Sequence, residues 1–141
     1  MRALHQPKAG TSILILMLRV ILGYVFFYHG AQKVLGWFGG PGLEGFVGYM
    51  TEGGMPAIIA YLVGFGEFLG GIGLIIGLLT KPAALGMAII MAGATFIVHW
   101  SAGFSAQNGG YEYPLTLLII SIVVFLYGGG DYSVDKKVFD K

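Results

Sequence analysis

Four long apolar runs, at residues 12–36, 56–79, 82–100 and 113–129, carry most of the chain, and polar residues gather in the short stretches between them. Each run is close to the roughly 20 residues that an α-helix needs to cross a hydrocarbon core. The pattern predicts four transmembrane helices. The third and fourth runs are shorter than the first, but Trp100, Tyr111, Tyr113 and Tyr127 stand where aromatic belts mark membrane interfaces. The first run follows a basic start at Arg2 and Lys8, as a secretory signal would, yet it has no small-residue cleavage site and Arg19 interrupts it. It is expected to remain as a helix.

Charge between the runs sets the expected orientation. Arg2 and Lys8 precede the first run, Lys81 lies in the tight turn between the second and third, and Lys136, Lys137 and Lys141 follow the fourth. The other two connections, GGPGLEGFVGYMTEGG and SAGFSAQNGGYE, contain no lysine or arginine. The positive-inside rule then places both termini in the cytoplasm and these two loops outside. Within the longer loop Leu43, Phe46, Val47 and Met50 recur at helical spacing, which predicts a short helix lying on the outer surface or capping the bundle. No linker divides the chain, so residues 1–141 form one all-α, polytopic domain, a four-helix membrane bundle.

Composition agrees and narrows the chemistry. The 141 residues are 56% hydrophobic and 11% charged, against about a quarter charged for an ordinary soluble domain. Eight Lys/Arg against seven Asp/Glu give a formal charge of +1, so no field gathers nucleic acid. The absence of cysteine removes disulfides, thiolate catalysis and iron–sulfur ligation from this chain, and any redox chemistry must use a borrowed cofactor. The 25 glycines, scattered without a period, suit helices whose backbones approach closely in lipid.

Ionisable residues inside the runs are the candidates for function, because unpaired charge in hydrocarbon is costly. On a helix of 3.6 residues per turn Arg19, Gly23, Phe26, Gly30 and Lys33 share one stripe, with His29 one turn from Lys33. The second run supplies Glu67, near mid-membrane and expected to pair with Arg19 or the His29 region, with Gly70 and Gly71 taken to lie on its face. Ala88, Ala92, Thr95 and His99 share a face of the third run, and Glu112 opens the fourth. His29, Lys33, His99 and Glu112 are expected in one outward-facing polar cluster, with Glu67 and Arg19 as a deeper layer. The bland alternatives are an ion pair that fixes helix register for Arg19 and Glu67, snorkelling for Lys33, and an interfacial histidine for His99. His29 and His99 stand on different helices and could clamp a haem iron, but two histidines with no c-type attachment motif leave haem b unsupported. No metal-ligand motif is present.

The segments LRVILGYVFFYHGAQKVLGWFGG and GFGEFLGGIGLIIGLLTKPAALGMAIIMAGATFIVHW resemble the DoxX family of small four-helix membrane proteins, over about residues 16–128. The markers are Arg19, the His-Gly-x-x-Lys at His29, Gly30 and Lys33, the Glu-x-x-Gly-Gly at Glu67, Gly70 and Gly71, and His99. Lys81 stands where the family's short cytoplasmic turn often has arginine. The resemblance implies a multi-pass component of the bacterial plasma (inner) membrane that serves oxidoreductase systems. DoxD-type subunits of thiosulfate:quinone oxidoreductase are such relatives, and other members look like scaffolds for redox or sulfur-handling enzymes. On this reading a quinone headgroup meets His29, Lys33 and Glu67 as acid–base and charge-stabilising groups, with Arg19, His99 and Glu112 completing the binding site. Further protein subunits supply electrons. The alternative is a non-catalytic accessory subunit whose polar residues only fix helix register.

Overall fold

A computed structural model describes residues 8–140, and every regular element among them is helical. The first apolar run forms α1, Ala9–Val34, whose 26 residues reach about 39 Å. A single 3₁₀ turn then leads to α2, Gly42–Glu52. The next run forms α3, Ala57–Ile76, and the third forms α4, Thr80–Gly93, which continues through a π-helical turn at Ala94–His99 and a 3₁₀ turn at Trp100–Ala102. The last run is α5, Glu112–Tyr127, and a short α6, Val134–Phe139, follows it. Three helical segments, Ala9–Val34, Ala57–Ile76 and the continuous Thr80–Ala102, are long and apolar enough to cross a membrane. With 16 residues, α5 reaches about 24 Å, short of a hydrocarbon core of about 30 Å. Arg2 and Lys141, two of the cations used to orient the chain, lie outside the described residues.

Lipid tails are as apolar as leucine, so helices in a bilayer are held by close packing and polar contacts more than by exclusion of water. The α1–α3 seam, the most extensive in the molecule, follows that rule. A β-carbon placed on Gly23 would stand 2.7 Å from the Gly71 carbonyl oxygen, and one on Gly30 would collide with the backbone of Phe68. Only hydrogen fits there. Phe27 and Phe68 stack beside the seam with ring centroids 5.7 Å apart. Gly71 faces α1, whereas Gly70 faces α4, where a β-carbon would lie 2.8 Å from Met87 Cε. The sequence reading put both glycines on the Glu67 face; neighbours on a helix point about 100° apart, and the two serve different partners. The second extensive seam joins α4 to α5, and Leu22, Phe26, Leu74, Met87, Leu117 and Val124 fill the centre of the bundle.

The α3–α4 turn is tight because Gly77 takes a φ of +76°, and Leu79 is held at +51° immediately after it. The second conformation is unfavourable for leucine. It is held by the C-terminal segment: Asp135 accepts hydrogen bonds from the backbone amides of Leu79 at 2.7 Å and Thr80 at 2.9 Å, capping α4 with a carboxylate. Asp135 in turn donates its own amide to the Gly77 carbonyl. At the opposite end α2 lies over the bundle with Phe46 buried, and residues 103–112 form a hydrogen-bonded cap that includes Tyr111 N to Gly103 O and Glu112 N to Phe104 O.

The Gly30→Ala variant is expected to lower stability by about 1–3 kcal/mol, because a methyl group there overpacks backbone against backbone. Gly86→Ala is the control: a β-carbon at Gly86 meets nothing within 4 Å, so this change should be neutral or stabilising by up to about 1 kcal/mol. Thermal unfolding of both in detergent checks the pair, and equal midpoints would mean that the seam is looser than described.

Candidate functional site

The same seam that needs glycines brings the intramembrane charges together. With α1 and α3 antiparallel and in contact at Gly30 and Phe68, the side chain of Lys33 reaches that of Glu67, and Lys33 Nζ donates to Glu67 Oε2 at 2.5 Å. The carboxylate is nearly sealed, its side chain 4% exposed, while the lysine is 23% exposed. Phe46 of α2 lies beside the pair, 5.5 Å from Nζ to ring centroid, so the short helix also roofs it. A charge-assisted bond of this kind satisfies both groups where water is scarce.

The pair opens on a cavity of about 750 Å³ bounded by α1, α2, α3, α4 and α5. His29 and Lys33 come from α1, Phe46 and Met50 from α2, Glu67 from α3, and Tyr113 and Leu117 from α5. His99 enters from the π-helical turn of α4, a local widening often found at functional positions. Its Nδ1 lies 2.8 Å from the Gly109 carbonyl, which fixes the ring and leaves Nε2 as the free edge. The His29 and Tyr113 rings lie 6.3 Å apart across the same space. The remaining walls are apolar, with Ile59 and Leu62 of α3 facing Ile89, Ile97 and Val98 of α4.

Of the residues singled out in the sequence, His29, Lys33, Glu67 and His99 therefore line one cavity. Arg19 and Glu112 do not. Arg19 is fully buried, but its guanidinium donates to the carbonyls of Leu74 at 3.2 Å, Ile75 at 3.4 Å and Tyr132 at 2.9 Å. It caps the last turn of α3, about two helical turns from Glu67, and ties the C-terminal segment to the bundle. The expected pairing of Arg19 with Glu67 in one deep layer is thus corrected: antiparallel packing carries Arg19 past the acid and delivers Lys33 to it. Glu112 is not among the residues lining the cavity and accepts the Ala106 amide through Oε1, closing the loop before α5. Tyr113, read from sequence as an interfacial belt residue, is 47% exposed and also borders the cavity. Its place beside Glu112 at the start of an apolar run was the only available signal, and that signal did not distinguish the two neighbours.

Comparison with known proteins gives the family. The DoxX family profile matches residues 14–100, which include Arg19, His29, Lys33, Glu67 and His99. The chain belongs to the DoxX family. It is 33% identical to a Bacillus subtilis protein named "Putative oxidoreductase CatD", over 88% of this chain and 86% of that one. It is 29% identical to an uncharacterised Haemophilus influenzae protein over 99% and 94% of the two chains, and 26% identical to the Escherichia coli inner membrane protein YqjF over 90% and 93%. No solved structure matches. As a DoxX protein with several apolar helices of spanning length, it is a multi-pass protein of the bacterial inner membrane.

The unequal exposure of the ion pair makes its loss asymmetric. Lys33→Met strands Glu67 in a sealed position and is expected to cost about 3–5 kcal/mol. Glu67→Gln leaves a lysine that can reach the surface, at about 1–3 kcal/mol. The Lys33→Met, Glu67→Gln double variant should be more stable than the sum of the single losses implies. Unfolding of the four proteins in detergent measures this, and additive losses would show that the pair is not coupled. Separately, Arg19→Gln should speed tryptic cleavage at Lys136 and Lys137 several-fold by freeing the C-terminal segment; unchanged cleavage would remove Arg19 from that role.

Proposed function

We propose that this DoxX protein is the membrane-embedded, quinone-binding component of an oxidoreductase system. In this reading α5 completes a four-span bundle, slightly short and matched by local bilayer thinning. Lys8, Lys81, Lys136 and Lys137 lie on the cytoplasmic side with both termini. The short helix α2 lies at the outer surface as the roof of the cavity. The observation that carries the proposal is an apolar cavity, within the size range of small-molecule sites, where Lys33 meets Glu67 and His29 lies beside Tyr113, with His99 also in the wall.

Those groups fit a quinone headgroup. The Lys33 ammonium, the Tyr113 hydroxyl and a protonated His29 can donate to quinone carbonyl oxygens, and Glu67 can accept from the hydroxyls of the reduced form. A bound quinone supplies two-electron redox chemistry at the price of two protons, and the chain's own contribution is to orient the head and exchange those protons at His29 and Glu67. The chain has no cysteine to hold an iron–sulfur centre, so electrons come from a partner subunit or a further bound cofactor. The name of the Bacillus relative supports the oxidoreductase setting. His29 and His99 both border the cavity, but the ion pair that also lines it and the apolar walls suit a carbonyl-bearing ring better than bis-histidine haem.

A second reading rests on the fact that Lys33 and Glu67 also join α1 to α3: the pair could act only as a register lock in a non-catalytic accessory subunit. Quinone titration of the purified protein in nanodiscs, followed by tryptophan fluorescence, separates the two. His29→Ala and Glu67→Gln are each expected to weaken binding about tenfold, the loss of one hydrogen bond to a polar or charged group, while remaining folded. Wild-type affinity in both variants would refute the headgroup site, and failure of both to assemble would favour the register lock.

A further inference from the structure

We propose that the gap between α3 and α4 is a lateral channel that takes the isoprenoid tail of the quinone, so that Gly86, Gly93 and Ile97 select ligands by their tails. This rests on the quinone reading and goes beyond it, since the headgroup residues say nothing about how a long apolar ligand leaves the cavity.

The cavity changes character along its length. At the α1 side Glu67 is 3% exposed, and the walls carry the ion pair, His29 and Tyr113. At the other side the lining residues are themselves on the outer surface: Leu62 of α3 is 61% exposed, and Ile89 and Ile97 of α4 are 66% and 76% exposed. In a bilayer that surface meets acyl chains, so the cavity runs from the ion pair to an edge lined by exposed apolar side chains, with His99 the polar group on the α4 side. The α3–α4 seam, much less extensive than the α1–α3 seam, allows this. The two helices touch where a β-carbon on Gly70 would meet Met87, and again at 3.4 Å between a β-carbon on Gly66 and Ile90 Cδ1.

The wall of the gap on α4 is built at helical spacing by Gly86, Ile89, Gly93 and Ile97. A β-carbon on Gly86 or on Gly93 meets nothing within 4 Å, unlike the glycines of the α1–α3 seam, where every added methyl strikes backbone. Gly93 also has ordinary right-handed helical angles, φ −60° and ψ −46°. Neither backbone conformation nor helix packing demands glycine at this position. Open space within a cavity wall is what remains, and a slender, flexible chain of apolar units fits between two glycines better than a bulky ring does. A tail lying there buries Leu62, Ile89 and Ile97 against itself, and the head is drawn to the Lys33–Glu67 pair.

The test is Gly93→Phe, with Gly86→Phe as the second plug, in the full-length protein reconstituted in nanodiscs. Both are titrated with decylubiquinone and with the tail-less ubiquinone headgroup. Partition into the bilayer is the same for variant and wild type, so the ratio of affinities isolates the channel. The expected result is a loss of about tenfold or more for decylubiquinone and a change within about twofold for the headgroup in at least one plug variant that keeps the wild-type unfolding midpoint. Equal effects on both ligands, or no effect on either, would overturn the channel while leaving the headgroup site standing. Failure of wild-type protein to bind either ligand would overturn the quinone reading, and the channel with it.

Discussion

Along α1 and α3 the backbones themselves are in contact, because Gly23, Gly30 and Gly71 leave nothing between them. In a solvent that cannot drive apolar surfaces together, this approach is what fixes the relative height and rotation of the two helices. The contacts of the charges on α1 and α3 follow from it. Lys33 meets Glu67 since their helices are close enough for a direct hydrogen bond, and Arg19 reaches the last carbonyls of α3 at the other end of the same seam. A helix pair held apart by ordinary side chains would leave all three ionised groups facing hydrocarbon, at a cost of several kcal/mol.

The two cations of α1 thereby acquire different work. Arg19 is enclosed by backbone carbonyls of Leu74, Ile75 and Tyr132, fully buried and away from the cavity that Lys33 borders, and its planar fork suits several carbonyls at once. Its place is structural. Lys33 is partly exposed, bonded to a single carboxylate and open to a large cavity, so its ammonium retains donors for another partner. The same residue class in one helix serves packing at one end and borders the cavity at the other, and burial and the kind of partner, backbone carbonyls against a carboxylate, separate the two.

The bundle is also unequal across its seams. Tight packing of α1 on α3 and of α4 on α5 leaves α3 and α4 less engaged, and the cavity occupies that difference. The C-terminal segment compensates at one end by capping the α3–α4 turn through Asp135, and α2 compensates at the other by laying Phe46 against Gly64. A fold of this kind can host several activities, so membership of the DoxX family fixes the frame and the site residues carry the functional argument.

Much of this was legible in the residues alone. Continuous apolar runs of bilayer length predict helices because no other open structure satisfies its backbone in lipid, and the Arg19–Gly23–Phe26–Gly30 stripe is the buried face of α1 as its period implies. His29, Lys33, Glu67 and His99 stood out because ionisable groups are rare in hydrocarbon. The sequence by itself thus determined the helical class, the packed face and most members of the site, since these depend on local composition and on the pitch of one helix. Only the tertiary structure decided who pairs with whom: that Glu67 belongs to Lys33 and not Arg19, that Gly70 and Gly71 serve different neighbours, and that Tyr113 borders the cavity while Glu112 bonds the Ala106 amide. Such choices depend on the relative height and rotation of two helices, and a shift of one residue, about 1.5 Å and 100°, is enough to exchange partners.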